Sequence, residues 1–290
     1  MPLRIVSIIF PIFLIVLTGV VIGRRLRPDM SAANRLNIEV FLPALIFSAL
    51  AAKSFNLADN VANIAGAIFV VVGSGLLAWP LVRLFGYEPK TLLPPVMFNN
   101  VGNMGLPLML FTFGDQALGA AVVLMMVVTL LQFTLSPWLL AGQVSVSRIW
   151  RDPFVVASLA GIAVSLLGIT VWPPLMAAIK ILGDISLGLM IFSLGVRLST
   201  ARLGAWGIAV FGAVVTPLTG MLLAWAFGKL AGLSSAEQDL LFIFGALPPA
   251  VSTFIFAERY DQEPDKVASI VMLGNASAIV FVPLALALRL

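Results

Sequence analysis

The chain has 290 residues, of which 61% are hydrophobic and 10% charged, with a mean hydropathy of +1.09. A soluble domain carries about 25% charged residues, so the composition excludes a soluble enzyme, and the lack of any Cys or His excludes disulfides, thiolate or imidazole metal sites and the usual general base. The net charge of +4 is then a question of where basic residues sit relative to a membrane, with no call for nucleic acid.

A membrane helix needs roughly 20 apolar residues. The pattern predicts such spans at Ile5–Ile22, Ala32–Ala51, Val61–Leu84, Thr91–Phe111, Ala117–Leu140, Pro153–Ile169, Pro174–Leu198, Leu203–Leu230, Ala236–Ala257 and Pro264–Leu288. The first is read as a retained span, because it is longer than a signal-peptide core and is followed directly by Arg24, Arg25 and Arg27 without a small-residue cleavage site. The intervening segments are short, so the expected fold class is an all-α integral membrane protein of ten spans. With the N-terminus outside, one side collects Arg24, Arg25, Arg27, Arg35, Arg83, Lys90, Arg148, Arg151, Arg197, Arg202, Arg259 and Lys266, and the other only Arg4, Lys53, Lys229 and Arg289. The positive-inside rule therefore places both termini outside.

The chain repeats itself. Gly73-Ser-Gly-Leu-Leu-Ala-Trp79 recurs as Thr219-Gly-Met-Leu-Leu-Ala-Trp225, and Asp115-Gln116 recurs as Asp261-Gln262, both at an offset of 146. At an offset of 145, Leu45-Ile-Phe-Ser48 recurs as Met190-Ile-Phe-Ser193 and Glu39 falls on Asp184. The expected units are residues 1–142 and 153–290, five spans each. An odd number of spans turns the second copy upside down, the plan of secondary transporters.

The fourth and ninth spans are interrupted. The fourth carries Asn99-Asn100-Val-Gly102-Asn103-Met-Gly105-Leu-Pro107, and the ninth carries Pro248-Pro249 followed by Ser252 and Thr253. Proline removes backbone donors and distorts a helix. Irregular backbone at membrane depth persists only where protein buries it or a wet cavity adjoins it. Matched breaks in corresponding spans point to a substrate site. Half-helix N-termini carry unpaired N–H groups and partial positive charge, which favours an anion. On this reading Asn99, Asn100, Asn103, Ser252 and Thr253 bind substrate, and Gly102, Gly105, Pro107, Pro248 and Pro249 shape the breaks. The alternative is that the breaks are packing kinks. Gly102-Asn-Met-Gly105 is no phosphate loop, since it lacks the Lys and the preceding strand.

Glu39 and Asp184 fall well inside their spans, where carboxylates are functional suspects. Two readings stand: proton coupling, or structural ion pairs of Glu39 with Arg35 and of Asp184 with Lys180, one turn away. The pairing reading is the simpler. Gly19-xxx-Gly23 is a small-residue face for close helix contact. Gln132, Asn275 and Ser277 either face the site or join helices to one another.

Phe41-Leu-Pro-Ala-Leu-Ile-Phe47, Asn99-Asn-Val-Gly-Asn-Met-Gly-Leu-Pro107, Met190-Ile-Phe-Ser-Leu-Gly195 and Gly245-Ala-Leu-Pro-Pro249 resemble the auxin efflux carrier family in its bacterial branch, within the bile-acid, arsenite and riboflavin transporter-like superfamily. The resemblance implies a scaffold of spans 1, 2, 6 and 7 and a transport part of spans 3–5 and 8–10. It also implies substrate at the crossing of spans 4 and 9. Plant members carry an Asn-Pro-Asn-Thr-Tyr crossover and often a long central loop. Here the crossover is Asn99-Asn-Val-Gly-Asn103 and the loop is short, so a small mono- or dicarboxylate is expected rather than auxin. The expected function is alternating-access secondary transport of such an anion, with no enzyme activity, cofactor or metal. A bile-acid-type sodium symporter and an anion channel are the rivals. The coupling ion (proton or sodium) and a homodimeric assembly stay open.

Overall fold

A computed structural model describes residues 2–52, 55–142, 152–200 and 204–289. Lys53, Arg202 and the basic connection with Arg148 and Arg151 lie outside the described residues. Among the described residues all regular structure is helical. In chain order the α-helices are α1 (Pro2–Leu26), α2 (Ser31–Leu36), α3 (Leu42–Leu50), α4 (Val61–Leu84), α5 (Pro89–Met97), α6 (Leu106–Phe113) and α7 (Leu118–Ala141). There follow α8 (Pro153–Leu166), α9 (Pro173–Thr200), α10 (Trp206–Leu230), α11 (Ser235–Gly245), α12 (Ser252–Arg259) and α13 (Pro264–Arg289).

Among the described residues, seven stretches are long and apolar enough to cross a membrane: Leu3–Leu26, Ser31–Leu50, Ala58–Leu84, Asp115–Ala141, Pro173–Ser199, Trp206–Leu230 and Pro264–Arg289. The three remaining apolar segments of the sequence are not uninterrupted spans. One is α8, whose 14 residues reach only ~21 Å at 1.5 Å per residue. The other two are split, into α5 with α6 and into α11 with α12. Two stretches wind as π-helix, Asn37–Phe41 and Val101–Gly105. Each runs up to a proline, Pro43 or Pro107. A proline ring clashes with the carbonyl four residues back, here that of Glu39 or Asn103, and a widened turn relieves the clash.

The internal repeat extends to element boundaries. α6 and α12 coincide at the 146-residue offset, and α4, α5 and α7 begin within one residue of the positions that match α10, α11 and α13. Gly86 and Gly232, at matching positions after α4 and α10, both adopt left-handed backbone (φ 70° and 64°), where glycine avoids the Cβ clash. The helix contacts exchange in the same way: α1 packs on α9 as α8 packs on α3, and α7 packs on α4 as α13 packs on α10. α4 and α10 run antiparallel, with Gly73 against Leu223 and Gly66, two turns earlier, against Phe227.

Two helix groups result. α1, α3, α8 and α9 pack together, and α4, α5, α7, α10, α11 and α13 pack together. In the first group, added Cβ atoms on Gly19 and Gly195 would collide with the carbonyls of Phe192 and Val16, so the α1 and α9 backbones touch. At one end of the second group, Thr91 at the start of α5 donates to Glu263 (2.6 Å), which also pairs with Lys266. Those two contacts, Lys266 first, hold the Glu263 carboxyl below the usual carboxylate range.

The α1–α9 contact makes a prediction. Gly195→Leu should cost about 1–3 kcal/mol, at the upper end because backbone cannot yield as a rotamer does. Gly188→Ala, on the same helix with nothing near its added Cβ, should be neutral or stabilising, since glycine is unfavourable in a helix. Melting temperatures of the two purified variants check this. Equal, small changes would show that α1 and α9 are not in backbone contact.

Candidate functional site: the crossing of two broken helices

The two breaks arise from different chemistry. In the second, Pro248 and Pro249 supply no N–H, and the chain stays non-helical from Ala246 to Val251. In the first, no proline stands at the break. Phe98 is extended (φ −104°, ψ 111°), and Asn100 caps the following turn, its Oδ1 accepting from the Asn103 N–H at 3.3 Å. Asn side chains compete for backbone donors in this way and so end helices.

The unwound segments cross and pair. Asn99 and Pro249 form an antiparallel bridge, in which Asn100 N–H donates to Pro248 O and Ala250 N–H donates to Phe98 O, both at 2.7 Å. Backbone groups freed by one break are thus satisfied by the other, the requirement for irregular chain in an apolar medium. Side chains lock the crossing. The Asn99 amide donates to Phe244 O (2.7 Å). The Asn100 amide donates to Asn275 Oδ1 (2.7 Å), and Asn275 donates to Pro249 O (3.0 Å) and Val271 O (2.7 Å). Gly274 lies directly against the Pro249 ring, leaving no room for a Cβ.

The five expected substrate ligands therefore divide. Asn99 and Asn100 border the adjoining cavity, but their amide donors are engaged in holding the crossing. Thr253 is buried and donates to Ala250 O (2.7 Å), and it does not line the cavity. Asn103 and Ser252 do line it and are half-buried. Gly102 and Gly105 have no positive φ; they serve by size. A Cβ on Gly102 would lie 3.2 Å from Met190 Cε, and one on Gly105 would lie 2.8 Å from Leu247 across the crossing.

The cavity has a volume of about 210 Å³. The first turns of the 101–113 and 252–259 helices start at it, and these are the turns whose N–H groups lack helical partners. It is also lined by residues outside the crossover, including Asn34, Asn37, Thr129, Gln132 and Arg197. No Asp or Glu borders it among the described residues. In the sequence Arg197 reads only as a loop charge, because nothing in its spacing relates it to Asn103. Of the ambiguous polar residues, Gln132 meets the site, accepting from Ser252 Oγ (2.8 Å). Asn275 braces the crossing from behind, and Ser277 joins α13 to Ala213 of α10 (3.3 Å).

A larger cavity of about 780 Å³ lies toward the other end of α9. Lys180, Asp184 and Leu187 line it, whereas Met190 and Arg197 line the smaller one. No crossover residue borders the larger space.

The expected carboxylate pairs fare differently. Glu39 pairs with Arg35 (2.8 Å) on an exposed face. Lys180 does not pair with Asp184. Its ammonium lies 3.7 Å from Asp115, in the turn between α6 and α7, and among the described residues Asp184 has no ion-pair partner. Tertiary proximity has overridden the helical spacing. Asp184→Asn should accordingly leave stability unchanged, and Asp115→Asn should cost no more than about 1 kcal/mol, since the pair is exposed. Thermal melts check both, and a large loss in Asp184→Asn would restore the Lys180 pairing.

Among the described residues, seven stretches of membrane length together with two broken helices define a multi-pass membrane protein. A model of the family described as membrane transport protein matches residues 4–143 and 136–286, and the chain belongs to that family. Auxin efflux carrier component 2 of Arabidopsis thaliana is 31% identical over 140 residues, which is 46% of this chain and 22% of the relative. Probable auxin efflux carrier component 1c of Oryza sativa subsp. japonica is 30% identical over 139 residues, 46% of this chain and 24% of the relative. Auxin efflux carrier component 1 of Arabidopsis thaliana is 31% identical over 140 residues, with 46% and 22% covered. The matched stretch spans less than a quarter of those relatives' length.

Proposed function

We propose that the protein is a secondary carrier for a small organic anion, a mono- or dicarboxylate, held beside the crossing and moved by alternating access. One observation carries the reading: two helix N-termini meet at a cavity lined by amides, a hydroxyl and one Arg, with no carboxylate among its described lining residues. Such a site attracts an anion and repels none. The antiparallel contact of α4 with α10 and the matched element boundaries support two inverted five-span repeats, residues 1–142 and 153–290. The two helix groups support a scaffold of α1, α3, α8 and α9 and a transport part carrying the crossing. Cavities toward opposite ends of α9 suit a site reached alternately from each side.

The test is uptake by proteoliposomes of radiolabelled lactate, succinate and other small organic acids under imposed sodium, proton and voltage gradients. Saturable flux of one or more of them is expected. Strict sodium dependence would favour a bile-acid-type symporter, and non-saturating flux would favour a channel. Absence of flux for every acid would remove the anion reading.

The distribution of basic residues supports an orientation with both termini outside the cytoplasmic membrane. The chain has no native Cys, so single cysteines report sidedness cleanly. In intact cells Thr170→Cys should react with an impermeant maleimide and Asp29→Cys should not. The reverse pattern would invert the orientation.

A further inference from the structure

Two residues outside the crossover stand out along the small cavity. Gln132, on α7, is buried, and its Oε1 is occupied by the Ser252 hydroxyl. The free end of the amide is therefore the donor end, and Nε2 has no hydrogen-bond partner. A buried donor without an acceptor is destabilising; Gln132 borders the cavity, its Nε2 is covered in this structure, and a carboxylate oxygen that displaced the covering wall would satisfy it. Arg197, on α9, borders the same cavity. It lies seven residues beyond Met190, which touches Gly102 at the crossing, so its backbone is roughly 10 Å farther along the helix axis. Every other lining residue is neutral, so Arg197 supplies the cavity's formal positive charge among the described residues.

Resting on the carrier reading above, we propose that Gln132 Nε2 and the Arg197 guanidinium form a two-part grip on the substrate's carboxylate groups, and that Arg197 makes the grip differ between the two faces of the carrier. The second part follows from where the residues are mounted. Gln132, Asn103 and Ser252 belong with α7 and the crossing. Arg197 belongs with α9, whose backbone touches α1 through Gly19 and Gly195. An anion held by both ties the two helix groups together. When the crossing shifts along α9, the distance to Arg197 changes while the distance to Gln132 does not.

The experiment uses purified full-length protein, with melting temperature titrated against potassium succinate and potassium lactate at ionic strength matched with potassium chloride. Gln132→Met should change the unliganded melting temperature little, because removal of the orphan donor offsets loss of the acceptor for the half-buried Ser252 hydroxyl. It should weaken carboxylate binding about tenfold. Arg197→Gln should weaken binding roughly 10- to 100-fold, the effect of a charge-assisted bond, and Arg197→Lys should recover most of it. In proteoliposomes sorted by orientation, Arg197→Gln should raise half-saturation on one face only.

A fall in unliganded stability for Gln132→Met with normal affinity would make Gln132 structural and overturn its part in the grip. Normal affinity in Arg197→Gln, alongside weakened binding in Asn103→Ala, would overturn the grip and leave the crossover site standing. Equal rises on both faces would overturn the facial asymmetry. A wild-type protein stabilised by neither carboxylate would bring down both this inference and the anion reading.

Discussion

Asn103→Asp is expected to bind carboxylates more weakly than Asn103→Ala, and Asn103→Ala roughly 10- to 100-fold more weakly than the wild type. The Asn103 side chain lines the cavity, while its backbone N–H makes the capping bond to Asn100 Oδ1. Substitution of the side chain therefore leaves the cap in place. A lost hydrogen bond to a charged group is worth about 1.5–3 kcal/mol, which at 1.4 kcal/mol per decade gives the stated range. The Asp variant should fold well, since a carboxylate in the first turn of a helix is favoured by the helix dipole. It nevertheless places negative charge where the substrate's own must sit. Affinity and melting temperature measured on the same purified variants decide the matter. If the breaks are packing kinks, both variants lose stability and bind normally. Wild-type affinity in a folded Asn103→Asp protein would remove the crossing from the substrate site.

Asn275→Leu should instead act on the fold. The substitution is close in volume but takes the acceptor from the Asn100 amide and the donor from Pro249 O. Both abandoned groups are at buried positions, and each costs about 1–3 kcal/mol when left unsatisfied. The sum, roughly 2–6 kcal/mol, is a large part of a typical folding free energy of about 5–15 kcal/mol. Yield of folded protein and melting temperature should both drop. Ser277→Ala, two residues away, is the control. Its hydroxyl also donates to Gly274 O within α13 (2.8 Å), and its loss should cost only about 1 kcal/mol. An Asn275→Leu protein that melts like the wild type would show that the crossing stands on its backbone bridge alone.

Much of this protein was legible in its sequence because its largest constraint is one-dimensional. Apolar runs near membrane length, punctuated by charges, mark helices without reference to any neighbour. The 146-residue offset between Gly73–Trp79 and Thr219–Trp225 is likewise a property of the chain alone. So is the missing pair of backbone donors at Pro248-Pro249, although Pro94-Pro95 lies within α5 without breaking it.

The roles of polar residues around the breaks were not legible in the same way. Asn99, Asn100 and Asn103 have one chemistry and nearly one address, yet two brace the crossing and the third lines the cavity. Which does which depends on where Phe244 O and Asn275 Oδ1 arrive, 145 and 175 residues along the chain. Lys180 sits at ideal helical spacing from Asp184, but the turn after α6 brings Asp115 to it instead. Arg197 reads as one of many basic residues at a helix end, until packing of α9 against the crossing places it on the cavity wall. Hydrophobic periodicity is written locally and survives translation into structure. A hydrogen-bond partner or a cavity lining is a relation between distant segments, and only their packing decides it.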